Sequence, residues 1–315
     1  MEIEDMEKRR IGALEVSVVG LGCNNFGRRI DEPASAAVVH AALDAGVNFF
    51  DTADIYGSTR SEEFLGRALA GRRAQAIIAT KFGMAVDPQR QGAKPDYVRR
   101  AVEDSLRRLG TDYIDLYQLH KPDADTPIAD TLEALDGLVR AGKVREIGCS
   151  NFSAAQLREA QQAVKAGAAC FVSVQNEYSL LHREPEAEML PECARGGVAF
   201  LPYFPLANGL LSGRFKRGEA APAGSRFEPG AWGAGSYTDV NLAAVESLRH
   251  FAAASGHTVL QLAFSWLLAH PAVSSVIAGA SKPAQVQGNA AAVAWKLTTD
   301  DLAEIDRLLA SHQHG

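Results

Sequence analysis

With 315 residues and 47% apolar content, the chain can bury a large core, either as two ordinary domains or as one large alternating barrel. A formal charge of −6 gives no basis for a nucleic-acid or anionic-membrane partner. Residues Met1–Arg10 mix acids and bases without an apolar stretch, which argues against a signal peptide. Val259–Ala269, broken by Gln261, is too short to span a bilayer. The cysteines (Cys23, Cys149, Cys170, Cys193) have no close pairing and suggest reduced thiols, so the chain reads as a soluble cytoplasmic protein.

In chain order, a hairpin is expected first, Arg9–Ile11 with Leu14–Val16. Eight short apolar runs follow, at Ser17–Leu21, Val47–Asp51, Ala76–Thr80, Tyr113–Leu119, Val144–Cys149, Phe171–Gln175, Ala199–Tyr203 and Ser275–Ala278. Most are rich in Val, Ile and Phe and do not alternate with polar residues, as expected of strands buried on both faces. Amphipathic stretches lie between them. Pro95–Leu109 places Val98, Val102, Leu106 and Leu109 on one face, with Glu103 and Arg107 spaced as an i,i+4 pair. Pro127–Arg140 does the same with Ile128, Leu132, Leu135 and Val139, and Pro127 suits a first helical turn. Ser61-Glu62-Glu63 and Asn151-Phe152-Ser153 read as helix starts, and Gly46, Gly110, Gly142 and Gly167 as stops.

Eight strands alternating with helices over this length predict a single α/β domain, residues 1–315, folded as a (β/α)8 TIM barrel. The alternative, a doubly wound open sheet, lacks its G-x-G-x-x-G fingerprint: Gly20-Leu21-Gly22 is followed by Cys23-Asn24-Asn25. Asp51, Lys81, His120, Ser150-Asn151, Gln175, Tyr203 and Gly279 each close one strand, at gaps of 30, 39, 30, 25, 28 and 76 residues. Five gaps match one strand-helix unit, so these side chains should ring one mouth of the barrel. The sixth holds Ala207–Val240, between strands seven and eight, rich in Gly, Ala and Pro and carrying Arg214, Lys216, Arg217 and Arg226. A loop of that length suits a lid over a bound ligand.

Taken singly, each polar residue has a structural explanation: Asp51 a turn cap, Lys81 its partner, Tyr56 a loop aromatic, His120 a core histidine. Together at one rim they suit protonation of a carbonyl oxygen as hydride arrives at its carbon. A free tyrosine has a pKa of about 10. Lowering it to 7–8 takes roughly 3–4 kcal/mol of phenolate stabilisation, which a buried ammonium can supply. Lys81 would tune Tyr56, Asp51 would anchor Lys81, and His120 would position the carbonyl or help pass the proton.

These residues sit in motifs that resemble the aldo-keto reductase family over nearly the whole chain. The motifs are DTADIYG (51–57), ATKFG (79–83), LYQLHKPD (116–123), GCSNF (148–152), VQNEYSL (174–180), YFPLANGLLSG (203–213) and AGASKPAQVQGN (278–289). The resemblance implies that Asp51, Tyr56, Lys81 and His120 form the catalytic tetrad. It implies a nicotinamide dinucleotide, NADPH with NADH as the alternative, lying across the mouth. Ser150, Asn151 and Gln175 would bind the carboxamide, with Tyr203 stacking on the nicotinamide. Pro205–Arg214, including Leu206, Ala207, Asn208, Leu211 and Arg214, would lie under the pyrophosphate. Gly279, Ser281, Lys282, Gln285 and Asn289 would take the adenosine and 2′-phosphate, with Gly22, Cys23, Asn24, Asp51, Phe204 and Arg226 as further cofactor contacts. Gly288 stands where many relatives carry a glutamate to adenine, and Lys282 where an arginine often serves the 2′-phosphate.

The chain ends soon after the last helix, Asp301–Leu309, so strand-end loops are expected to wall the substrate pocket. Asn25, Phe26, Ile55, Tyr56, Phe82, His120 and Tyr178 are the candidate contacts for a small or medium aldehyde, ketone or sugar-derived carbonyl. No metal site is expected, and the His312-Gln313-His314 tail is read as frayed. Two other functions are compatible with such a barrel. One is a non-catalytic NADP(H)-binding regulatory subunit, like the related barrels that escort potassium channels, which often lack the histidine. The other is a sugar-phosphate enzyme without redox chemistry. No apolar stripe or heptad announces an oligomeric interface.

Overall fold

The computed structural model describes residues 6–312 except 223, 229 and 232. Its eight central strands are all parallel: β3 (Val19–Gly22), β4 (Phe49–Asp51), β5 (Ile77–Phe82), β6 (Ile114–Leu119), β7 (Val144–Ser150), β8 (Phe171–Glu177), β9 (Ala199–Tyr203) and β10 (Val276–Gly279). They lie in the order β10-β3-β4-β5-β6-β7-β8-β9. Phe200 of β9 closes the ring against the segment entering β10, accepting from Ser274 N and donating to Ala272 O. This is the expected TIM barrel, with α1 (Glu32–Asp44), α2 (Arg60–Ala68), α3 (Pro95–Leu109), α4 (Ile128–Arg140), α5 (Ala154–Ala163) and α6 (Met189–Gly196) each between successive strands. Helices α7 (Asp239–Ala254) and α8 (Val259–Leu268) precede β10, and α9 (Pro283–Ala290) and α10 (Thr299–Ala310) follow it. Among the described residues no single helix is long and apolar enough to cross a membrane.

The hairpin β1 (Lys8–Ile11) with β2 (Leu14–Ser17) forms as expected, and its role is to plug the barrel. Ile11, Leu14 and Val16 pack into a small separate core with Phe49, Ala79, Leu116, Leu201 and Ile277. Each of those strand residues lies two positions before Asp51, Lys81, Gln118, Tyr203 or Gly279. Because strand side chains repeat every two residues on one face, the apolar plug sits one layer below a polar layer at the mouth. The larger core fills the space between strands and helices.

Local chemistry explains the helix boundaries. Ser153 and Gln156 cap each other at the start of α5, and Gly46, Gly110, Gly142 and Gly167 all adopt left-handed backbone at turns. Two details differ from expectation. Pro127, with ψ of 131°, stands one residue outside α4 rather than in its first turn. Arg107 pairs with Asp104, not Glu103, which reaches across to Lys143 instead.

One buried acid has consequences for stability. Asp54 is 2% exposed and its Oδ1 has no hydrogen-bond partner among the described residues. Burial, helped by the nearby Glu62 charge, pushes its pKa up to about 8. The folded state therefore holds a proton that the unfolded chain releases above about pH 4, so stability should fall as pH rises from about 4 to about 8. Asp54→Asn mimics the protonated acid. It is expected to flatten that dependence and to gain several kcal/mol at pH 8, with about 5 kcal/mol as the upper bound set by about four pH units at about 1.4 kcal/mol each. Urea unfolding at pH 5.5 and pH 8 checks this; an equal pH slope in variant and parent would count against it.

Candidate active site

Strand ends deliver the tetrad to one place. Lys81, at 0% exposure on β5, donates from Nζ to Asp51 Oδ2 at 2.7 Å and to the Thr52 carbonyl at 2.9 Å. It also reaches Tyr56 OH at 3.4 Å and sits 5.0 Å from the centre of that ring. The Tyr56 ring meets His120 edge-on, centroids 5.8 Å apart. Asp51 Oδ1 accepts from Gln175 Nε2 at 2.8 Å and from Gln118 Nε2 at 3.4 Å. The carboxylate is thus fixed by donors from three other strands, β5, β6 and β8.

Gln118 was not anticipated, although it lies two residues before His120 in LYQLH and so shares its inward face. Gln175 was expected to meet a carboxamide through its side chain; in the structure that side chain orients Asp51. The loop carrying Tyr56 is held by Gly57, whose φ is +59° and at which a Cβ would meet Phe26 O at 2.2 Å. No residue but glycine fits there.

The electrostatics differ from a tyrosine tuned to near neutrality. Burial raises the Tyr56 pKa, and the Lys81 charge only partly opposes it. Burial also works against the Lys81 charge, but Asp51 and Tyr56 outweigh it and hold its pKa above the ordinary value. Asp51 engages that ammonium more closely than the phenol does. Burial, with Lys81 and Lys121 nearby, pushes the His120 pKa down to about 3, so its imidazole is neutral. The resting site therefore offers a protonated phenol, an ammonium and a neutral imidazole.

The mouth opens into a cleft of about 1250 Å³. It is lined by Asn25, Ile55, Tyr56, His120, Ser150, Asn151, Gln175, Tyr203, Phe204, Pro205, Leu206 and Asn208 on the strand-end side. Of the other expected contacts, Gly22, Asn24, Asp51, Arg214, Arg226, Gly279, Ser281, Gln285 and Asn289 also line it. A polar relay joins the ends of four strands. Tyr203 OH donates to Asn151 Oδ1 at 2.9 Å, Asn151 Nδ2 donates to the His120 carbonyl at 2.9 Å, and Ser150 Oγ donates to the Gln175 carbonyl at 2.7 Å. All six non-glycine residues with positive φ among the described residues (Ser58, Thr59, Asn151, Phe204, Ala207, Asn208) lie in loops at this face. Strained backbone concentrated around one cleft is the pattern of a functional site.

Several expected contacts do not reach the cleft. Phe26, Phe82 and Tyr178 are fully buried. Phe82 stacks on Tyr117, while Tyr178 packs on Phe200 and Trp266 and donates to Glu186. These aromatics support the walls from behind. Cys23, Ala207 and Leu211 are likewise buried behind the lining. Lys282 is exposed at the start of α9 and does not line the cleft. Among the described residues no cluster of metal-ligating side chains occurs.

The long loop crosses the cleft. Arg226 Nη2 donates to Asn25 Oδ1 at 3.2 Å, and Arg29 Nη2 reaches back to the Gly224 carbonyl at 3.2 Å. Phe215, Phe227 and Tyr237 pack together as the loop's own small core.

An acid–lysine–tyrosine–histidine set at the C-terminal mouth of a parallel barrel, beside a strained polar cleft, agrees with the comparison to known proteins. The family model described as the aldo/keto reductase family matches residues 18–310. The chain belongs to the aldo/keto reductase family. The aldo-keto reductase YhdN of Bacillus subtilis is 34% identical over 311 residues, covering 94% of this chain and 91% of its own. An Arabidopsis thaliana protein called a "probable voltage-gated potassium channel subunit beta" is also 34% identical, over 91% of both chains. Among solved structures, the holo form of an aldo-keto reductase from Bacillus halodurans superposes with a TM-score of 0.80 at 35% identity, covering 96% of each chain. The glycerol dehydrogenase of Gluconobacter oxydans gives 0.83 at 31% identity, covering 100% of this chain and 98% of that one. As a member of this family the chain is an oxidoreductase.

Proposed function

We propose that the protein is an NADPH-dependent reductase of aldehydes and ketones, with Tyr56 as general acid. The observation that carries this reading is the single buried ammonium of Lys81 joined to both Asp51 and Tyr56, beside the neutral His120. The cleft suits a dinucleotide. Tyr203 offers a flat ring, Arg214 and Arg226 offer charge for phosphates, and Asn24 and Asn208 each leave a buried amide oxygen without a partner among the described residues. The Bacillus halodurans neighbour is described as a holo form, and the Gluconobacter oxydans neighbour is named for a CH–OH substrate, which supports the same reading.

A reduced nicotinamide bound there would supply the hydride. Tyr56 then gives its phenolic proton to the carbonyl oxygen as that oxygen gains negative charge. Lys81 stabilises the phenolate left behind, and Asp51, held by Gln175 and Gln118, keeps Lys81 charged and aimed. Neutral His120 can donate a hydrogen bond to the carbonyl oxygen without being the proton source.

The pH dependence follows. Reduction needs the phenol protonated, and the raised Tyr56 pKa preserves that form through and beyond neutrality. His120 does not titrate near its usual 6.5. Reductive kcat/KM is therefore expected to stay flat from roughly pH 5 to pH 9 and to fall only toward or above pH 10, whereas alcohol oxidation, which needs phenolate, should rise with pH. A reductive limb centred near pH 6.5 would transfer the acid role to His120.

The likeness to the Arabidopsis thaliana protein supports a second reading, a non-catalytic NADP(H)-binding subunit. NADPH oxidation with an activated aromatic aldehyde separates the two. Tight NADPH binding without turnover of any aldehyde would select the subunit.

A further inference from the structure

The cleft is basic although the chain as a whole is acidic. Among the described residues its lining holds five arginines, Arg28, Arg29, Arg60, Arg214 and Arg226, and a single carboxylate, Asp51, already engaged by Lys81. Arg214 and Arg226 belong to the long loop and are used by the cofactor reading above. The other three belong to the loops on the Tyr56 side: Arg28 and Arg29 follow β3, and Arg60 opens α2, four residues after Tyr56. All three are exposed, and none has a carboxylate partner among the described residues.

Arg60 is held in place. Its Nε donates to the Gly57 carbonyl at 3.0 Å and its Nη2 to the Gly27 carbonyl at 2.6 Å, so one guanidinium clamps the two loops flanking the mouth. Both partners are neutral, so its charge stays uncompensated. Its place in the chain is also electrostatically unfavourable, since a cation in the first turn of a helix opposes the helix dipole by about 0.3–1 kcal/mol. The segment Gly57–Ser58–Thr59 that leads into it is left-handed throughout, with φ of 59°, 56° and 75°. Arg28 and Arg29 lie close enough to Arg226 to depress its pKa to about 10, after burial as the larger cause. Like charges gathered at one rim are relieved by an anion.

We propose that Arg60, with Arg28 and Arg29, forms an anion-recognition rim that selects carbonyl substrates bearing a phosphate or carboxylate group. A guanidinium fork binds either group bidentately, and the anion would sit beside the carbonyl that Tyr56 protonates. This inference rests on the reductase reading and adds the substrate's charge to it.

The test compares glyceraldehyde with glyceraldehyde 3-phosphate, and benzaldehyde with 4-carboxybenzaldehyde, as substrates for the full chain with NADPH, in the parent and in Arg60→Gln and Arg28→Gln. NADPH affinity is measured alongside by fluorescence titration. In the parent, kcat/KM is expected to favour the charged member of at least one pair, and the favoured pair identifies the group recognised. That preference should decline steeply with added salt. In Arg60→Gln, kcat/KM for the favoured anion is expected to fall about tenfold or more, mainly through KM. In Arg28→Gln, at a side chain that braces neither loop, kcat/KM for the favoured anion is expected to fall several-fold while the neutral partner and NADPH affinity change less than twofold, which also shows that the variant is folded. In Arg28→Gln, equal losses for charged and neutral substrates or a loss of NADPH affinity, and in the parent the absence of any preference, would each overturn the inference. Turnover of the neutral aldehydes in those cases would leave the reductase reading standing, whereas no turnover of any substrate by the parent overturns both.

Discussion

Tyr56→Phe is expected to lower kcat for aldehyde reduction by about 10³-fold while leaving NADPH affinity within about twofold of the parent. The substitution removes one atom and little else. The ring keeps its edge-on contact with His120 and its place 5.0 Å from the Lys81 ammonium. The hydroxyl lost makes only a 3.4 Å contact with Lys81, so stability should change by less than about 1 kcal/mol. The loss is then confined to the transition state, where the phenol was to deliver its proton, and kcat and kcat/KM should fall together. His120 cannot take over efficiently, because an imidazole with a pKa near 3 is not protonated at neutral pH. Stopped-flow or steady-state NADPH oxidation with an activated aromatic aldehyde reads this directly. Unchanged turnover would mean that water or another group supplies the proton, and the assignment of Tyr56 would fail.

Most of the barrel was legible in the sequence because its strands are short and apolar, most are evenly spaced, and most end in or beside a polar residue. The register of that polar layer follows from the two-residue strand repeat, which puts Phe49 in the plug and Asp51 at the mouth. The aromatics were harder to place. Phe26 and Tyr178 follow strand ends as Tyr56 does, and nothing in their local sequence says whether the loop turns the side chain inward or back; Phe82 is the last residue of β5, one position after Lys81, so the strand repeat points it to the opposite face. The structure gives Phe82 the Tyr117 ring and Tyr178 the Phe200 and Trp266 rings as apolar partners behind the wall, and buries Phe26 in the same outer core. Gln118 was obscured by the more reactive His120 two residues later. The basic rim was illegible for a different reason: Arg28, Arg29 and Arg60 carry no motif, and only the approach of two loops places them at one edge. Net charge concealed it further, since an overall −6 says nothing about where the positive charges gather.

Lys81→Met should be the most damaging single change, and for two separable reasons. Lys81 is wholly buried and serves Asp51, the Thr52 carbonyl and Tyr56 at once. Its removal leaves a buried carboxylate whose remaining donors are the neutral amides of Gln175 and Gln118. Breaking a buried ion pair in this way costs about 3–5 kcal/mol of stability. It also strips the phenolate of its counter-charge, so kcat should fall by at least about 10²-fold in whatever folded fraction remains. The double variant Asp51→Asn with Lys81→Met distinguishes these effects. With no charge left to strand, most of the lost stability should return, giving a coupling energy of a few kcal/mol in the double-mutant cycle. Activity should not return, because a neutral amide and a thioether cannot hold Tyr56 as phenolate. Denaturant unfolding and NADPH turnover on all four proteins complete the cycle. If turnover recovered in step with stability, Lys81 would be a structural counter-ion to Asp51 alone, and the acid at this mouth would owe nothing to its charge.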